Sequence, residues 1–140
     1  GNGTQALVEQ DPSIRFVSMH QWPLWPGTGS ASERGVGNVF NVPMPPSLPR
    51  EAYVGALWNA IVAATEGWTP DLVIISAGFD ALAGDPLAQF TLEPEDYAGI
   101  TVRLRRRLPG VPLLGVMEGG YVPERLADGA MAFLAAMDEG

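Results

Sequence analysis

Four short apolar runs limit what this chain can fold into. They are Ile14 to Met19, Val39 to Val42, Leu72 to Ile75 and Val111 to Met117. Leu72-Val73-Ile74-Ile75 is continuous and rich in branched residues, which reads as a strand buried on both faces of a parallel sheet. Between and after these runs, apolar residues recur at helical spacing. Tyr53, Val54, Leu57, Trp58, Ile61 and Val62 predict a helix from about Pro49 to Glu66, with Pro49 suited to a first turn and Glu51 to the dipole. Two more helices are predicted over about 95–108 and 123–137, with Gly129 weakening the last. The order strand, loop, strand, helix, strand, helix, strand, helix predicts an α/β fold with a mostly parallel sheet and right-handed crossovers.

Residues 21–37 interrupt this pattern. Pro23, Pro26, Gly27, Gly29, Gly35 and Gly37 break any regular element, so a long loop is expected. Trp22 and Trp25 argue that it is ordered, because exposing two indoles is costly. They could wall an apolar channel or plug the edge of a core.

Composition narrows the chemistry. The 140 residues contain no cysteine, which removes disulfide scaffolds, cysteine zinc sites and thiol catalysis. It also fits a reducing, cytoplasmic setting. A net charge of −8 makes direct nucleic-acid binding a poor expectation. No apolar run approaches the ~20 residues of a membrane helix. Gly1-Asn2-Gly3-Thr4-Gln5 carries no signal core and no Met, as in a processed, cut or partial chain. Oligomeric state is left open.

In parallel sheets, sites form beyond the carboxyl ends of strands. Three of the runs end in reactive side chains: His20, then Ser76-Ala77-Gly78-Phe79-Asp80, then Glu118-Gly119-Gly120-Tyr121. Parallel strands would bring these ends to one rim. A carboxylate at Asp80, just after a buried strand, needs a cation, hydrogen bonds or a raised pKa. It could hold a metal, or it could cap the next segment through a backbone N–H. Tyr121 follows two glycines that can aim it sharply; its phenol could donate to a developing oxyanion or simply pack at a turn. A lone His20 is more often structural than catalytic. The cluster of Arg103, Arg105, Arg106 and Arg107 sits at a helix C-terminus and reads as a solvated face. No phosphate loop and no nucleophile elbow is present.

Taken in order, several segments resemble the zinc-dependent histone deacetylase family, with its bacterial deacetylase-like and acetylpolyamine amidohydrolase relatives. They are Gly1-Asn2-Gly3-Thr4-Gln5, Ser18 to Gly29, Gly37 to Pro43, Ser76 to Asp80, Ala83-Gly84-Asp85-Pro86 and Glu118-Gly119-Gly120-Tyr121. The resemblance runs along nearly the whole chain. It implies a three-layer αβα, arginase-like fold, represented by the C-terminal part of one catalytic domain. It also implies zinc-dependent hydrolysis of an acetylated amine, either protein acetyl-lysine or a small molecule such as a polyamine. By the same resemblance Asp80 is a metal ligand, and Tyr121 polarises the acetyl carbonyl. Trp25, Gly119 and Gly120 line the substrate channel, and Ser18 and Met19 help hold a structural potassium ion. The family's Asp-x-His ligand pair and tandem histidines would lie before Gly1, and His20 matches none of them. A catalytic zinc normally takes three protein ligands. The resemblance therefore implies that these 140 residues alone are inactive, with a sheet edge and apolar faces left bare. A non-catalytic module binding acetylated ligands or partner proteins is the alternative.

Overall fold

The structure is a computed structural model and describes residues 1–138. Its elements are α1 (Asn2–Val8), β1 (Phe16–Gln21), β2 (Val39–Met44), α2 (Arg50–Ala64), β3 (Val73–Ala77), a 3-10 turn (Phe79–Ala81), α3 (Pro94–Arg107), β4 (Leu113–Met117) and α4 (Pro123–Asp138). All strands and helices expected from the sequence are present. α1 was not expected, because Asn2, Gly3 and Thr4 are weak helix formers. The chain divides into two compact units: Gly1–Pro46 with Glu51–Trp68, and Ser47–Arg50 with the chain from Thr69 onward.

In the first unit β1 and β2 pair in parallel, Phe16 opposite Val39 through Gln21 opposite Met44. β2 continues two residues beyond its expected last residue, Val42, through Pro43 to Met44, since proline is tolerated where its missing N–H faces no partner. The loop between these strands is held by polar side chains. Asn38, 4% exposed, donates to the carbonyls of Val8 (2.8 Å), Asp11 (2.9 Å) and Ile14 (2.9 Å). It thereby satisfies carbonyls at the end of α1 and in the turn beyond it. The Glu33 carboxylate accepts from Gln5 Nε2 (2.7 Å), Gly29 N–H (3.0 Å) and Ser30 N–H (3.0 Å). Asn41 Nδ2 donates to Gln5 Oε1 at 2.9 Å. Tyr53 of α2 is fully buried and donates to the Pro45 carbonyl at 2.8 Å.

These donors hold the Glu33 carboxyl below its usual range, the Gln5 side chain first and the Ser30 amide next. A lowered folded-state pKa stabilises above the unfolded value, and that stability is lost as pH falls through the folded one. Thermal unfolding followed from pH 7 into the acid range should therefore show a falling midpoint. Glu33→Gln should start lower at pH 7, because its NH2 must face a backbone N–H, and should depend less on pH. A variant as stable and as pH-sensitive as the parent would remove Glu33 from this role.

In the second unit β3 and β4 pair in parallel, Val73 opposite Leu113 through Ala77 opposite Met117. Ala77, Phe79, Leu82 and Phe133 form its core, with Ile75, Tyr97, Leu126, Ala130 and Met137 packed around them. α3 and α4 pack against each other. α3 starts at Pro94, where the Glu93 N–H donates to Asp96 Oδ2 at 2.9 Å. Arg125 of α4 binds Glu93 Oε2 at 2.6 Å.

The strands of this unit are not buried on both faces as expected. Ile75 and Ala77 face the core, while Ile74 is 59% exposed. Leu114, Val116 and Met117 of β4 are also exposed. By register Ile74, Leu114 and Val116 share the face turned away from that core, so the branched run behaves as a half-buried strand, while Met117, opposite Ala77, is exposed at the end of β4. On the covered face, a Cβ at Gly115 would meet Phe133 Cε1 at 2.7 Å, so glycine lets that ring approach.

Candidate active site

Of the three strand ends expected on one rim, strand pairing gathers two in one sheet. These are the ends of β3 and β4, carrying Asp80 and Gly119 to Tyr121. Two backbone bonds tie them together: Glu118 N–H to the Ala77 carbonyl (3.0 Å), and Phe79 N–H to the Gly119 carbonyl (2.7 Å).

Phe79 fixes the base of this arrangement. It is 3% exposed, stacks on Tyr97 with ring centroids 5.0 Å apart, and meets Phe133 edge-on at 6.4 Å. The Tyr97 hydroxyl donates to the Gly78 carbonyl at 2.6 Å. Burial, and then the negative charge of Asp80, push the Tyr97 hydroxyl well above the usual phenol range, so it stays a donor. With Phe79 turned inward, Asp80 leaves the 3-10 turn beside two glycines. A Cβ on Gly119 would lie 2.6 Å from Asp80 Oδ2, and one on Gly78 would lie 2.9 Å from Asp80 Oδ1. Any larger residue would take the space the carboxylate occupies.

The Asp80 carboxyl is pushed above its usual range, first by burial and then by the charge of Asp85. The backbone amides of Asp80 and Ala81 pull the other way. Raising the folded-state pKa of an acid means that its ionised form costs stability above that pKa. A divalent cation would offset that cost, which makes this carboxylate suitable as one ligand. Among the described residues no group of three or more His, Cys, Asp or Glu side chains could hold a metal. The donor set of these residues is therefore not a complete zinc site.

Gly120 has φ +136°, a region favourable only to glycine, and a Cβ there would lie 2.9 Å from Phe79 Cβ. It turns the chain so that the Tyr121 side chain, 54% exposed, stands off the core. The Tyr121 N–H donates to Asp85 Oδ2 at 3.0 Å. That bond has no periodicity to announce it; its one sequence signal is the turn-forming Gly84-Asp85-Pro86.

The other candidates lie in the first unit. His20 is within β1 rather than at its end. Its Nδ1 lies 3.1 Å from Ser18 Oγ and its Nε2 lies 2.9 Å from the Gly29 carbonyl, so the ring ties strand to loop. Gly29, φ +91°, is bound to this: a Cβ there would meet His20 Nε2 at 2.6 Å. Met19 alternates with Ser18 and His20 along β1. Trp22 is half-buried, whereas Trp25 is 92% exposed and so does not plug the edge of a core.

A family model described as the histone deacetylase domain matches residues 1–137. A probable deacetylase of Methanothermobacter thermautotrophicus is 37% identical over 144 residues, covering 99% of this chain and 43% of that protein. The crystal structure of the HDA15 HD domain is similar with a TM-score of 0.89 and 33% identity, over 99% of this chain and 42% of that one. An acetylpolyamine aminohydrolase from Burkholderia pseudomallei is similar with a TM-score of 0.86 and 26% identity, over 99% and 42%. The chain thus spans about two fifths of the length of these relatives.

Proposed function

Because the chain belongs to the histone deacetylase domain family, we propose that it supplies the carboxylate and the phenol of a zinc-dependent deacylase centre to the protein it forms part of. The reaction is hydrolysis of an N-acetyl amide. Water adds its oxygen to the acyl carbon, the C–N bond breaks, the nitrogen takes a proton, and amine and acetate leave. The observation that carries this reading is the joined ends of β3 and β4, with Gly78 and Gly119 shaped around the Asp80 carboxylate and Gly120 turning out Tyr121.

In this reading Asp80 is one ligand of Zn²⁺, which when bound would polarise the acyl carbonyl and acidify water. The phenol of Tyr121 donates a hydrogen bond to the acyl oxygen as negative charge grows on it. Gly119 and Gly120 leave room for the acyl group beside Asp80; for Trp25 the part of an aromatic channel wall rests on the family resemblance alone. Ser18, by its hydroxyl, and Met19, by its carbonyl, contribute to a potassium site. The substrate is an acetylated amine, and the setting is the cytoplasm, a reading supported by the absence of cysteine. Because the described residues hold no group of three or more His, Cys, Asp or Glu side chains able to bind a metal, no turnover is expected from the chain by itself.

The test is acetate release from acetyl-lysine peptides and acetylated polyamines by the full-length protein. Activity should disappear with a chelator and return with Zn²⁺. Asp80→Asn should lose its metal on dialysis while the parent retains it. No acetate release from the zinc-loaded protein would end the reading, and an Asp80→Asn protein with unchanged metal content would end the ligand role.

A further inference from the structure

We infer that Asp85 is a positioning residue that holds Tyr121 in its working orientation; this rests on the reading of Tyr121 as the donor to the acyl oxygen. The Asp85 carboxylate is divided between two tasks. Oδ1 accepts from the amides of Leu87 (2.8 Å) and Ala88 (3.2 Å), closing its own turn. Oδ2 accepts from the Tyr121 N–H, 36 residues further along the chain.

The turn is a firm base for that bond. Leu82 is fully buried and bridges Leu92. The Ala83 N–H donates to the Leu92 carbonyl at 2.8 Å, and the Leu92 N–H donates to the Ala81 carbonyl at 3.1 Å. Gly84, φ +90°, then reverses the chain into Asp85. Tyr121, in contrast, follows two residues without side chains and presents an exposed ring. Glycines aim a segment but do not hold it, since they restrict the backbone least. The bond to Asp85 fixes the Tyr121 amide and so narrows the directions its side chain can take.

Asparagine at 85 has one oxygen where the carboxylate has two, so it cannot serve both the turn and Tyr121. In the full-length protein Asp85→Asn should lower kcat by about 10–100-fold and leave KM within about threefold, the scale for a misaligned group. In a Tyr121→Phe background the same change should cost less than about twofold, because there is no hydroxyl left to misplace. In the metal-free protein, exchange of the Tyr121 amide hydrogen should accelerate by about tenfold, the loss of roughly one hydrogen bond. Should Asp85→Asn not fold, the bond can be removed from the other side. The α-hydroxy analogue of tyrosine at 121 replaces the N–H with an ester oxygen and should give the same loss of kcat.

Full additivity of Asp85→Asn with Tyr121→Phe, or unchanged exchange at Tyr121, would overturn the inference. So would loss of metal in parallel with turnover, because Asp85 would then act through Asp80. A crippled Tyr121→Phe beside a normal Asp85→Asn defeats this inference alone. A normal Tyr121→Phe defeats the functional reading and this inference with it.

Discussion

Tyr121→Phe in the full-length protein lowers kcat by about 10²–10³, the scale for losing one preorganised donor to an oxyanion. The substitution deletes a single oxygen. The ring remains, and the backbone N–H that reaches Asp85 at 3.0 Å is untouched. Since the side chain is more than half exposed, stability should stay within about 0.5 kcal/mol. KM should move little, because the lost bond strengthens as charge develops on the acyl oxygen and contributes less to ground-state binding. Steady-state kinetics on an acetylated substrate, with the unfolding midpoint as a control, separates these effects. Turnover near that of the parent would remove the phenol from the chemistry.

Phe79→Ala should be the most damaging single substitution for the second unit, destabilising it by about 3–5 kcal/mol. Such a loss is a large fraction of the ~5–15 kcal/mol that holds a domain folded. Phe79 touches Tyr97 and Phe133, and hypothetical Cβ atoms at Gly120 and Gly129 would lie 2.9 Å and 2.7 Å from it. Gly129 makes room for the ring and Gly120 for its Cβ, so loss of the ring leaves a cavity on the Gly129 side, where glycine has no side chain to fill it. Asp80 follows it directly, and the turn before Tyr121 rests on it. Denaturant unfolding measures the effect, and a loss below about 1 kcal/mol would show that the core closes over the gap.

Much of this architecture is written in local pattern. Branched runs at 73–77 and 113–117, and helical spacing in α2, α3 and α4, need nothing beyond periodicity to be seen. Asp80 and Tyr121 stand out because each follows a strand. Other features are not local. α1 begins with poor helix formers, and its end is satisfied by Asn38, thirty residues away from Val8. The strands of the second unit looked fully buried because a branched run cannot show that only one face is covered. His20 reads as a strand end because the Pro- and Gly-rich stretch from 21 to 37 follows it, whereas the strand runs on to Gln21 and the His20 ring bridges Ser18 and Gly29. Asp85 stands out in the sequence only as part of the Ala83-Gly84-Asp85-Pro86 segment, and its second oxygen finds its partner only when β3 and β4 pair.

The bare face of that second sheet has a practical consequence. Ile74, Leu114 and Val116 wet on adjacent parallel strands form a greasy ledge with open ladder edges, the kind of surface on which copies of a polypeptide stick to one another. Sulfate strengthens apolar burial. Purification steps that rely on salting-out would therefore concentrate the 140-residue chain into precipitate sooner than its −8 charge suggests.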